Sequence, residues 1–134
     1  MSLTYIPVAL RRLVEERANR LCEYCLLPAD FTFFPHEIDH VIAEKHGGET
    51  NADNLAFTCW RFNRHKGSDL GSFDPQTGAF SFLFHPRTQQ WDKHFKFEEL
   101  QIVGLTPEGR TTARLLQLNS DERLAERQRL RDCS

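Results

Sequence analysis

The sequence predicts an α+β fold, and three observations carry that expectation. Apolar residues recur at helical spacing near the start, short alternating stretches follow between Gly, Pro, Asn and Asp, and two well-marked helix starts lie near the end. The 134 residues suffice for one compact unit with a proper core and are too few for two independent ones. Eleven Phe against seven Gly and six Pro favour packed structure over a disordered tail.

Pro7 suits a first helical position, and Leu10, Val14, Ala18 and Leu21 follow at steps of three to four, so residues 7–21 read as an amphipathic helix. Its charged face, with Arg11, Arg12, Glu15, Glu16 and Arg20, reads as solvated surface. Cys22 and Cys25 enclose a tight turn, and a loop through Pro28 and Asp30 leads to the stretch Phe31 to Phe34. From His36 to Ile42, the residues Ile38, His40 and Ile42 alternate with Asp39 and Val41, which suits a strand. Gly47 and Gly48 among polar neighbours mark the segment Lys45 to Asn51 as a loop. Leu55 to Cys59 is a second short strand, and Trp60 to Lys66 is free of breakers, with Gly67 able to end a helix in the left-handed conformation.

Phe73 to Gly78 has turn composition, and Phe80, Phe82 and Phe84 alternate with Ser81, Leu83 and His85, which predicts a hairpin with one aromatic face turned to the core. Another extended stretch is expected from Phe95 to Val103. Thr106-Pro107-Glu108 and Ser120-Asp121-Glu122 each offer a hydroxyl cap followed by an acid near the positive end of the helix dipole.

A formal net charge of −2 excludes a protein whose whole surface clings to polyanions. A local footprint remains, because Arg61, Arg64, His65 and Lys66 lie in a run without an acid between Thr58 and Ser68. No apolar run approaches the roughly 18–20 residues of a membrane span, and no secretory leader pattern precedes the first helix, so a cytoplasmic protein with no membrane partner is expected. In a reducing compartment the C-x-x-C of Cys22 and Cys25 reads as a metal knuckle or a redox pair, the latter weakened by the lack of a βαβ context, and Cys133 reads as a bystander.

The informative block runs from Cys22 to Lys66: Asp39-His40, Asn54 fourteen residues after His40, Asn63 nine residues further on, and Gly47-Gly48 in the loop between. With Cys22-Glu-Tyr-Cys25, Glu37-Ile-Asp-His40, Asn54-Leu55, Cys59 and Asn63-Arg-His-Lys-Gly67, it resembles the HNH endonucleases with a ββα-metal core. It is similar in particular to small stand-alone bacterial HNH proteins, and weaker similarity continues through Phe73-Asp-Pro, Thr77-Gly78, Phe84-His-Pro-Arg87 and Gly104-Leu-Thr106. The resemblance implies one HNH domain over residues 1–134, with a motif core at 22–70 and a C-terminal extension at 71–134 made of a β-hairpin plus helices.

The resemblance also implies a metal-dependent endonuclease acting on nucleic acid, in particular DNA, and leaving 5′-phosphate and 3′-hydroxyl ends. Phosphodiester hydrolysis needs a nucleophilic water, charge relief on the phosphate and help for the leaving oxygen. His40 is the candidate general base, and Asp39 and Asn63 are the candidate oxygen ligands for Mg²⁺ or Mn²⁺, with His65 as an alternative ligand or a nucleic-acid contact. Asn54 is expected to pin the loop and orient the base, and Lys66, three residues after Asn63, to reach a phosphate beside Arg61 and Arg64. Asp39 and His40 can serve one phosphate only if the strand ends or twists there, because neighbouring strand residues point apart. His36, His46, His85 and His94 read as surface or hydrogen-bonded histidines.

Relatives of this type complete a four-cysteine zinc site with a second C-x-x-C. Here its last position is Phe62, leaving Cys22, Cys25 and Cys59 one ligand short of a structural zinc site. Either the three hold zinc with a water or distant His, or Phe62 packs against free thiols; the expectation is no tightly bound zinc. Two other functions stand beside the enzyme: a catalytically silent HNH-fold nucleic-acid-binding module, and a partner-binding protein using the Phe-rich second half.

Overall fold

The computed structural model describes residues 4–133. Helix α1 spans Val8–Arg17, shorter than the periodicity predicts, because Asn19 and Arg20 take left-handed backbone angles (φ 53° and 58°) that stop the helix after Ala18. Val14 is fully buried against Leu55 and Phe57 in a small core.

Strand β1, Glu37–His40, pairs antiparallel with β2, Leu55–Thr58, placing Asp39 opposite Ala56 and His40 opposite Leu55. Helix α2, Trp60–Lys66, follows β2 directly, so strand, long loop, strand and short helix occur in the predicted order. In the loop a Cβ on Gly48 would meet the Ile42 carbonyl oxygen at 1.7 Å, so only glycine lets the loop fold back onto the end of β1.

The extension adds two hairpins and three helices. Strands β3, Gly71–Phe73, and β4, Phe80–Phe82, flank a turn in which Asp74 accepts from the Gln76 backbone and the Thr77 hydroxyl. After the short helix α3, Trp91–His94, the single extended stretch expected at 95–103 is instead a tight hairpin of β5, Phe95–Glu98, and β6, Gln101–Gly104. Glu99, at φ 55°, makes the reversal that composition alone did not announce. Helices α4, Pro107–Leu115, and α5, Asp121–Asp132, begin at Thr106 and Ser120, whose hydroxyls accept from the Gly109 and Arg123 backbones.

The main core joins both halves: Cys22, Tyr24, Cys25, Cys59 and Phe62 pack with Phe84, Phe95, Ile102, Leu116 and Leu118. Of the alternating Phe80, Phe82 and Phe84, only Phe84 joins it. Phe73, Phe80 and Phe82 are 65%, 59% and 66% exposed, since a two-stranded sheet has no second layer and α4 packs beside it without covering these rings. Among the described residues no helix is long and apolar enough to cross a membrane.

Candidate active site

Alternation along β1 sends Glu37 and Asp39 to the face covered by α2, where Asn63 and Lys66 meet them from one side of the helix. The Asn63 side-chain nitrogen donates to Glu37 Oε1 at 2.7 Å, which turns the amide oxygen away from that carboxylate. Arg64 donates to both oxygens of Glu37, at 2.9 and 3.3 Å. Lys66 Nζ stands 3.0 Å from Asp39 Oδ2 and donates to the His40 carbonyl at 3.0 Å. Burial pushes the Asp39 carboxyl up from its ordinary value, and the Lys66 ammonium and His40 only partly offset that rise.

β1 ends at His40, which lets Asp39 and His40 border the same concavity despite their adjacency. A cavity of about 270 Å³ is lined by Asp39, His40, Asn63 and Glu37 together with His36 and, from α1, Arg11 and Glu15. A second cavity of about 340 Å³ shares Asp39 and His40 and continues past Glu44 and Ser68.

The His40 ring is held from the loop: Nε2 lies 2.8 Å from Thr50 Oγ1 and 3.9 Å from a Glu44 carboxylate oxygen. Asn54 supports that loop. Its side chain accepts from the Ile42 backbone nitrogen and donates to the carbonyls of Ile42 and Glu49, all at 2.9 Å. It therefore ties the residues just after His40 to the residue just before Thr50.

Lys66 is buried, so its ammonium is committed inside the site rather than presented outward as the sequence suggested. Arg61 pairs with Glu122 at 2.6 Å, and each cation of the basic run other than His65 thus meets an acid from elsewhere in the chain. His65 is about 200° around α2 from Asn63 and lines neither cavity, so it is not brought to the site. His36, His46, His85 and His94 are each hydrogen-bonded, as expected, although His36 also borders the site. The sequence reading missed Glu37, Thr50 and Glu44 as site residues. Glu37 was within reach of it, being two residues from Asp39 on one strand face; the other two depend on how the loop folds.

The sulfurs of Cys22, Cys25 and Cys59 lie within 4.8 Å of one another, with Cys25 and Cys59 at 3.5 Å, and this buried group could bind a metal. Against its burial, hydrogen bonds from Cys25 and Cys59 hold the Cys22 thiol well below its usual range, while the other two thiols are raised. The fourth corner is apolar: Phe62 is buried in the same cluster, so the residues present do not make a closed four-ligand zinc site. Cys133 is exposed and free.

The remaining hard donors suit a different ion. Asp39 offers a buried carboxylate oxygen without a well-aligned hydrogen bond and lines the same cavity as Asn63, and a carboxylate with an amide oxygen is a donor pair of the kind Mg²⁺ and Mn²⁺ prefer. Comparisons with curated proteins and with solved structures found no match. Residues 22–69, which include both strands, α2 and every residue of this concavity except Arg11 and Glu15, match the family described as HNH endonuclease. Through that segment, and on an α+β fold with extra elements, the chain is similar to the HNH endonuclease family.

Proposed function

We propose that this protein is a metal-dependent endonuclease that hydrolyses phosphodiester bonds of DNA. The observation that supports this reading is the convergence of Asp39, His40 and Asn63 on one cavity at the end of β1, inside the matched family segment. Asp39 and Asn63 would hold one Mg²⁺ or Mn²⁺, with Glu37 orienting the amide. Such an ion, when bound, supplies charge relief at the phosphate and at the leaving oxygen.

The chain's own residues supply the rest. His40 uses Nε2 toward Thr50 and Glu44, so Nδ1 is the nitrogen that accepts a proton from the attacking water. Asn54 keeps that ring in place through Ile42 and Glu49, and Lys66 opposes the burial that raises the Asp39 carboxyl. The entire chain acts as one unit, because the cysteine turn and the extension share a core.

A second reading draws on one observation. The Lys66 ammonium already neutralises Asp39, which suits a nucleic-acid-binding module that no longer cuts. Incubating supercoiled plasmid with the protein and Mg²⁺ or Mn²⁺ separates the two. The enzyme reading expects metal-dependent nicking that falls by roughly 10²- to 10⁴-fold in His40→Ala, the usual scale for a general base. Binding without any cutting would replace it by the module.

A further inference from the structure

Beside the active site, and outside it, three aromatic rings stand where no core needs them. Phe34 stacks on Trp60, with centroids 4.5 Å apart and planes at 23°, and Phe33 meets Phe34 edge-on at 5.0 Å. Phe33 is 92% exposed, so its ring contributes little to folding. The guanidiniums of Arg61 and Arg64 each lie 5.3 Å from the Trp60 ring centre. Together with Arg129, Glu122 and Glu126 these rings line a cleft of about 330 Å³, within the size range of small-molecule clefts, about 300–1,000 Å³.

We propose that this shelf stacks an unpaired nucleobase of single-stranded DNA next to the site of cleavage. The chemistry points to a base with an attached phosphate: flat rings offer stacking that every base can use, and the surrounding arginines suit the backbone that carries it. A base inside a duplex is already stacked and cannot supply a free face. Position supports the same occupant, because Arg64 bridges the two regions, overlying Trp60 while holding Glu37, which in turn holds Asn63. Arg61 and Arg64 are already paired with Glu122 and Glu37, so stacking outweighs charge, and binding should depend on salt less steeply than in proteins with free phosphate-binding cations. This also fits a net charge of −2. The inference rests on the nuclease reading for its biological setting, although binding can be measured without cutting.

The test is a fluorescence titration of the full chain with a short single-stranded DNA and with a blunt duplex of the same sequence, without added divalent ion. The single strand is expected to quench tryptophan emission, and Trp60→Phe to abolish that quench while Trp91 still reports the folded protein. Phe33→Ala should weaken single-strand binding by roughly 5- to 150-fold and leave duplex affinity within about twofold, and Phe33→Tyr should restore it. A Phe33→Ala variant that loses both substrates equally or loses neither, or a quench that survives Trp60→Phe, overturns the proposal. Failure to cut plasmid with the quench intact would remove the hydrolytic reading and leave the shelf. His40-dependent cutting with a silent Phe33→Ala would do the reverse.

Discussion

Asn54 carries three backbone groups of the loop on which His40 depends, and its replacement can be worked out from those contacts. Asn54→Ala removes one bond from the Ile42 nitrogen and two to the Ile42 and Glu49 carbonyls. At about 1 kcal/mol net for each, the loss is about 3 kcal/mol; Ile42 and Glu49 border solvent, so water can recover the orphaned groups and prevent a larger penalty. Equilibrium urea unfolding should then show a midpoint lower by about 1–3 M, given a typical slope of about 1–3 kcal/mol per M. Asn54→Asp sharpens the test. It keeps an acceptor for the Ile42 nitrogen and sets a carboxylate against two carbonyl oxygens, so at neutral pH it should be no more stable than the alanine variant. Its deficit should shrink on acidification, because protonation restores one donor. An alanine variant within about 0.5 kcal/mol of the parent, or an aspartate variant clearly more stable than alanine at neutral pH, would refute the reasoning.

Three further outcomes follow from other contacts. Lys66→Met leaves the Asp39 carboxylate buried without its partner and should cost about 3–5 kcal/mol in urea unfolding; adding Asp39→Asn should recover part of the loss, and strictly additive losses would show that the pair does not interact. Asp74 is held well below the usual carboxylate range, first by the Arg110 guanidinium, so its contribution is complete above the unfolded value of about 3.9 and is lost as pH falls through the lower folded value. Arg110→Ala should therefore flatten the acid limb of the stability profile below about pH 4, and an unchanged limb would contradict that assignment. Phe62→Cys supplies the missing ligand beside Cys22, Cys25 and Cys59; metal analysis should find one zinc per chain in the variant and less in the parent, and equal zinc in both would show that Phe62 is not what limits the site.

Much of the architecture was legible because it rests on local rules. The alternation around Ile38 and His40, the unbroken run from Trp60 to Lys66 and the hydroxyl caps at Thr106 and Ser120 each act within a few residues, and each produced the expected element. The hairpin at 95–104 was misread because a turn through Glu99 has no glycine or proline to betray it. The exposed Phe80 and Phe82 were misread for a different reason: period-two spacing tells which side chains share a face, and only the neighbouring layer tells whether that face is covered.

For the candidate site, the sequence by itself determined the chemical types: a carboxylate, an imidazole and two amides at family spacing, and a cysteine set with phenylalanine in one position. Tertiary structure alone decided what each group touches. It brought Glu37 to Asn63, Thr50 to His40 and Lys66 to Asp39, pairs separated by 10 to 27 residues whose meeting depends on how the loop and helix pack. It also assigned an acid to each cation of the basic run other than His65 and gathered Phe33, Phe34 and Trp60 into a shelf. Charge and burial are properties of three-dimensional neighbours, so a chain of letters names the ionisable groups while only the fold sets the field in which they act.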